Sequence, residues 1–267
     1  MTTVDFVMTE HASWSATADG ASRIVAMPDG GRWLVTTDGG SIVQQSLDES
    51  SMTPTVDVFS LSGRIGAAPE LTAALSDMGT VARMRNLNLW DAIGTAIIRQ
   101  VIRAGQAKKL YRAFCEEFGE QAILPDGQVH SLFPGPEMVL KIGADEFKSV
   151  GMAFKRPAIQ AAAQAYIDHS ELWHDLEPTD LIDALQTVPR IGPWTARAAV
   201  ADWSNDWSLY PYADLAVRTW AKRAAPSYVW PSDEPAFEGV WRTLAGDHLS
   251  SLTLLTLAWG SKHGDIG

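Results

Sequence analysis

The segment LQTVPRIGPWTARAAVADWSNDWSLYPYADLAVRTWAK, Leu185–Lys222, decides the reading of this chain. It reads as helix, tight turn, helix, loop, and then a lone acidic residue opening a third helix. Pro193 suits the first turn of a helix, where its missing N–H would be unpaired in any case. Just upstream, Val188-Pro189-Arg190-Ile191-Gly192 makes a five-residue hairpin with one Gly to take an unusual backbone angle. The free amides of Gly192, Trp194 and Thr195 at the start of the second helix then point outward, a sequence-blind seat for a phosphate. Asp214 follows Thr195 by 19 residues and is the one acid between Asp206 and Asp233. The spacing couples a phosphate clamp to a single carboxylate.

These residues resemble the helix-hairpin-helix DNA glycosylases, whose signature is L-x-x-hydrophobic-P-G-hydrophobic-G-x-x-T-A followed by a catalytic aspartate. Leu185, Val188, Pro189, Ile191, Gly192, Thr195 and Ala196 match it, and Asp214 stands in the aspartate position. The similarity extends over residues 80–262. Residues 89–119 are similar to the helix pair that carries a DNA-wedging loop, and 132–168 to the short helices that lead into the hairpin. The resemblance implies a mainly α fold, a helix-hairpin-helix core with a small N-terminal antiparallel β-sheet.

Strand-cleaving members of that family place a Schiff-base lysine immediately before the Thr-Ala pair; here the residue is Trp194. Iron–sulfur members need four cysteines near the C-terminus, and this chain has one, Cys115. The branch resembled is the monofunctional one typified by 3-methyladenine DNA glycosylase II. In that branch Asp214 would be the catalytic group. Cleaving an N-glycosidic bond develops positive charge on the sugar, and a preorganised carboxylate stabilises it. The start of helix 214–223 favours the charged carboxylate. Trp194 would face the flipped base, its indole suiting an electron-poor ring.

By the same resemblance, Arg190, Gly192, Thr195 and Arg197 contact DNA from the hairpin. Gln100 and Val101 would fill the gap left by the flipped nucleotide, with a packing role for Val101 as the alternative. Two departures stand out. Arg190 replaces the first hairpin glycine, which puts in question a monovalent cation held by the backbone carbonyls of Gln186, Val188 and Arg190. Arg99 stands where small residues are common.

Composition sets the bounds. The chain has 267 residues, 46% hydrophobic, enough for a real core. The N-terminus lacks a basic, apolar signal pattern, no stretch is long enough to span a bilayer, and one cysteine argues against a disulfide framework. A cytoplasmic monomer without a cofactor, acting on double-stranded DNA that carries a modified base, is the expectation. The net charge of −11 opposes a DNA partner. Residues 1–80 hold three arginines against ten acids, however, so most of the excess lies outside the helical part. Basic residues gather at Arg99, Arg103, Lys108, Lys109 and Arg112, and again at Arg190, Arg197, Arg218, Lys222 and Arg223, as a local footprint requires.

From Ser13 to Gln45 the runs SRIVAM, RWLVTT and SIVQQS alternate, separated by PDGG and TDGG, which are hairpin signals. A polar linker (47–55) follows, with a further strand within 55–66. Helical periodicity takes over from Ala68, with nine or ten helices. Two units are expected, a β-rich 1–66 and a helical 67–267 with its hairpin at 185–203. Two functional alternatives remain at this level. One is excision of another modified base, including bulky bases of phage DNA. The other is a non-catalytic DNA binder, against which the intact Asp214 argues.

Overall fold

A computed structural model describes residues 2–38, 40–61, 65, 67–124 and 127–264. Strands β1 (Thr2–Thr3), β2 (Phe6–Met8), β3 (Ser15–Ala16), β4 (Ala21–Ala26), β5 (Arg32–Asp38), β6 (Ser41–Ser46) and β7 (Val56–Phe59) come first. The three alternating runs form the meander β4–β5–β6. Its first turn closes with Met27 N–H on Gly31 O at 2.8 Å and uses Gly30 at φ +87°. The second brings Asp38 opposite Ser41, and its Gly39 lies outside the described residues. Flanking strands complete an antiparallel sheet of order β1-β6-β5-β4-β3. The strand expected within 55–66 is β7; residues 62–64 and 66 lie outside the described set.

Helix α1 (Pro69–Ser76) opens the helical part, but strands recur inside it. β8 (Val81–Met84) pairs in parallel with β2 and antiparallel with β7, giving a second, mixed sheet. All four β8 residues are buried, so the strand shows no alternation to betray it. Helices α2 (Leu89–Arg99) and α3 (Ala104–Phe118) follow, and then a small hairpin of β9 (Gln121–Ile123) and β10 (Val129–Ser131). Between the two strands, Leu124 N–H bonds Gln128 O at 2.8 Å, and residues 125 and 126 lie outside the described set. The chain continues through α4 (Pro136–Lys141), α5 (Ala144–Ser149), α6 (Arg156–Asp175), α7 (Pro178–Gln186), α8 (Pro193–Ser204), α9 (Leu215–Ala224), α10 (Glu234–Ala245) and α11 (Leu249–His263). No helix among the described residues is long and apolar enough to cross a membrane.

The core is organised on α2, which is buried from Leu89 to Ile98. Asn88 starts it, its Oδ1 accepting the Asp91 N–H at 3.0 Å. One face meets α8, whose Ala196, Ala198, Ala199 and Ala201 are small enough for close approach. At Gly94 a Cβ would stand 2.2 Å from the Phe133 ring, so that aromatic seats directly on the helix backbone.

A polar network bolts sheet to helices. Arg83 on β8, 3% exposed, pairs with Glu10 at 2.7 Å, with Asp202 at the end of α8, and with Asn205 Oδ1 at 2.6 Å. Burial alone would raise the Asp202 carboxyl; the adjoining Arg83 and His11 instead hold it well below the usual carboxylate range. Removing one partner of such a network strands the others uncompensated. Arg83→Met is therefore expected to cost about 3–5 kcal/mol in urea unfolding, more than Arg85→Met, whose partly exposed pair with Asp57 is worth at most about 1 kcal/mol.

Candidate active site

The hairpin forms where the sequence placed it. α7 ends at Gln186, Ile191 N–H bonds Val188 O at 3.1 Å, and α8 opens at Pro193 with Gly192 as its N-cap. Gly192 is exposed and a Cβ there would meet nothing within 4 Å, so the amide edge of the turn is open to a ligand. Arg190 is exposed and adopts φ +70°, the backbone a glycine would take without strain. The hairpin geometry thus survives the substitution. Of the three carbonyls implied for a cation, Val188 O accepts from Ile191 and Arg190 O accepts from Gln100 Nε2 at 3.2 Å. At those two carbonyls the turn is closed by protein–protein hydrogen bonds.

The α2–α3 turn docks on this hairpin. Gln100 reaches Thr195 Oγ1 at 2.8 Å as well as Arg190 O. Thr195 is buried, so its hydroxyl joins the two loops and is not a surface contact. Val101 projects from the turn with φ +60° and full exposure, which rules out the packing alternative. Two residues that the sequence reading passed over stand beside it. Lys155, 3% exposed, donates to Gln100 O at 2.6 Å, and burial brings its ammonium down to about 8. Its neighbour Phe154 leaves 57% of its surface in solvent. An exposed aromatic following Gly-Met-Ala was the only available signal.

Asp214 precedes α9 as its N-cap, yet its side chain makes no capping hydrogen bond. It instead accepts the Tyr210 hydroxyl at 2.9 Å, and Tyr210 in turn accepts from Arg99 at 3.2 Å. Burial pushes the Tyr210 phenol up, so it stays protonated and serves as the donor. Arg99, the last residue of α2, also lies against the Trp194 ring at 5.7 Å. Both Trp194 and Asp214 line a cleft of about 350 Å³, closed by Tyr212, Pro211, Glu234 and Glu238. Arg197 lines it too, donating to Leu209 O at 2.9 Å and leaning on Tyr212, so it is a cleft residue and not part of the outer hairpin face.

Half of the clustered basic residues have internal duties, Arg99 and Arg197 among them. Arg112 donates to Ala12 O and Trp14 O, Arg218 holds Glu234 and Ser232 O, and Arg223 stacks on Trp220. Those charges are not free for a broad electrostatic footprint. Cys115 is buried, and burial pushes its thiol up, as befits a packing residue.

No family model and no curated protein matches the sequence. Solved structures match over almost the whole chain. The 3-methyladenine DNA-glycosylase from Archaeoglobus fulgidus superposes with a TM-score of 0.71 at 17% identity, covering 95% of this chain and 91% of its own. The Clostridium acetobutylicum 8-oxoguanine glycosylase/lyase, bound to double-stranded DNA, gives 0.72 at 14%, covering 96% and 90%. The Schizosaccharomyces pombe 3-methyladenine DNA glycosylase on abasic DNA gives 0.51 at 18%, covering 67% and 82%. The chain has the fold of the helix-hairpin-helix DNA glycosylases.

A non-glycine residue in the left-handed region carries about 1–2 kcal/mol of strain. Arg190→Gly is expected to leave thermal stability unchanged or raise it by up to about 1 kcal/mol, glycine's chain entropy offsetting part of the gain. Duplex binding should weaken and the salt slope flatten by about one unit as a phosphate contact is lost. Melting curves and duplex titrations at several salt concentrations check both; tighter binding would mean that the side chain obstructs DNA.

Proposed function

We propose that this chain is a monofunctional DNA glycosylase that flips a modified base from duplex DNA and hydrolyses its bond to deoxyribose, leaving an abasic site. One observation carries the proposal. Asp214 is an N-cap carboxylate released from capping, held by Tyr210 at the edge of an aromatic cleft beside the open hairpin. A carboxylate fixed this way meets developing oxocarbenium charge without reorganising. Its other oxygen is available to orient the attacking water. Flipping costs a few kcal/mol of unstacking, which the exposed Val101 offsets by filling the duplex. Gly192 and the first amides of α8 anchor a backbone phosphate.

An alkylated purine is the base class the cleft favours. Asp214 lines it beside the Trp194 and Tyr212 rings, while Glu234 and Glu238 on its rim are paired with Arg218 and Arg242. Carboxylates and π faces attract an electron-poor, cationic ring. The A. fulgidus and S. pombe proteins that share the fold are named for 3-methyladenine. Bulky phage bases remain the alternative substrate, and mass spectrometry of bases released from variously modified DNA decides between them. Release of no base at all would favour a non-catalytic binder.

Asp214→Asn should retain the fold and duplex binding while single-turnover base release falls by about two orders of magnitude or more. Tyr210→Phe, which removes only the supporting hydrogen bond, should lose about tenfold. An Asp214→Asn rate within threefold of the parent contradicts the assignment.

Strand cleavage should be absent, since Trp194 stands in the Schiff-base position. Lys155, with its ammonium near 8, is the amine against which to test this, although its Nζ is held by Gln100 O. Gels of end-labelled duplex should show breaks only after alkali, and borohydride should trap no adduct. Trapping that disappears in Lys155→Met would assign a lyase function to that residue instead.

A further inference from the structure

Among the described residues, Val101 alone combines a β-branched side chain with a positive φ, +60°, and it is fully exposed. A β-branched residue in that region is an outlier, and persists only where its surroundings over-determine it. Gln100 before it has φ −52° and ψ 127°. These angles are those of a type II turn, which favours glycine or asparagine at the position Val101 fills. Rotating the single peptide between Gln100 and Val101 would convert the turn to type I, give Val101 a negative φ and relieve the strain. Something must hold that peptide against the flip.

The rotation would swing Gln100 O to the opposite side of the turn. That oxygen is the one to which Lys155 Nζ donates at 2.6 Å. Lys155 is buried, and among the described residues its ammonium has no ion pair and no second hydrogen-bond acceptor, only the Phe154 ring 5.1 Å away. A buried cation is costly unless it is paired, so a flip would strand the ammonium as well as the carbonyl. The donor stands on a firm base, because Lys155 is the N-cap of α6, which packs on α2. Gln100 is held from its other side too, with Nε2 on Arg190 O at 3.2 Å and on Thr195 Oγ1 at 2.8 Å. Side chain and carbonyl are both fixed, and the peptide flip is the freedom that Lys155 removes.

We infer that Lys155 is a positioning residue: it locks the α2–α3 turn in the strained type II form and so keeps Val101 aimed away from the protein. A hydrogen bond from a charged donor is at least comparable in strength to the penalty of one left-handed residue. Without it the type I form should predominate, leaving about a tenth of the molecules with Val101 correctly aimed. Binding that needs the aimed form then weakens by the same factor. The consequence for DNA rests on the proposed filling of the duplex by Val101; the lock itself does not.

The test is nuclear Overhauser spectroscopy on the full chain. A type II turn brings the Gln100 Hα close to the Val101 amide proton, whereas type I brings the two amide protons together. The parent should show the first cross-peak. Lys155→Met, which keeps an unbranched apolar stem, should show the second. In Val101→Gly, where glycine accepts the left-handed backbone unaided, adding Lys155→Met should leave the type II pattern in place. The parent supplies a further measurement that stands even if Lys155→Met does not fold. Its Lys155 ammonium should give a slowly exchanging 1H–15N signal, coupled across the hydrogen bond to the Gln100 carbonyl carbon. Titration with duplex carrying one abasic site should give about tenfold weaker binding for Lys155→Met than for the parent. The inference is overturned if Lys155→Met keeps the type II pattern, if it flips equally in the Val101→Gly background, or if the ammonium exchanges as freely as that of an exposed lysine. A flipped turn with unaltered duplex affinity would uphold the lock and remove Val101 from the duplex instead, and failure of the parent to release any base would count against the proposed function alone.

Discussion

The contact on which the rest of this molecule depends is the buried guanidinium of Arg83. It is made from β8, yet its partners come from the N-terminal loop at Glu10 and from the last turn of α8 at Asp202, with Asn205 just beyond. α8 begins at the hairpin and presents Trp194 and Thr195 to the site. One end of that helix is therefore pinned to the sheet and the other carries the open hairpin turn. Charge pairs this deep contribute little net stability against an apolar isostere, but they tolerate no partial loss. Their effect here is positional, fixing how far the sheet stands from the hairpin helix.

The second half of the site is held from another direction. α9 follows Asp214 and packs on α11, where Trp220 lies over Gly260 so closely that a Cβ would stand 2.3 Å from the indole. The carboxylate is thus set by a helix that cannot slide toward its neighbour, and by Tyr210 reaching it from the preceding loop. Arg99 connects the two halves: it leaves the end of α2, lies against Trp194 and hydrogen-bonds Tyr210. A residue that reads as a deviation in sequence is, in space, the cross-brace between the Trp194 ring and the Tyr210 hydroxyl that holds Asp214.

How much of this could be read beforehand follows from the range of the interactions. The hairpin was legible because Pro193 and Gly192 act through local backbone geometry, and the meander because alternation and DGG turns are local too. Asp214 was legible through a fixed spacing. β8 was not, since it is buried on both faces, and neither was its parallel pairing with β2, which joins residues 75 positions apart. The polar network draws on residues from Glu10 to Asn205, and no pattern in one dimension brings those together. Basic residues misled for a related reason: a charge run shows where cations are dense, not whether Ala12, Leu209 or Glu234 already holds them. Lys155 was missed because its role comes from lying against Gln100, and Phe154 because its role comes from its place beside Lys155.

The parallel pairing of β2 with β8 has a consequence for synthesis. A meander such as β4–β5–β6 needs only neighbouring segments and can form as soon as it leaves the ribosome. β2 emerges earlier still but has no strand to add to until residues 81–84 have been made, and Glu10 waits for Arg83. Arg83 itself lacks Asp202 until most of the chain is out. The segment from Phe6 to Glu10 therefore stays unpaired until residues 81–84 have been made, the kind of exposed edge that long-range closure leaves open. Assembly of the N-terminal part is a late event, completed from the middle and the far half of the polypeptide.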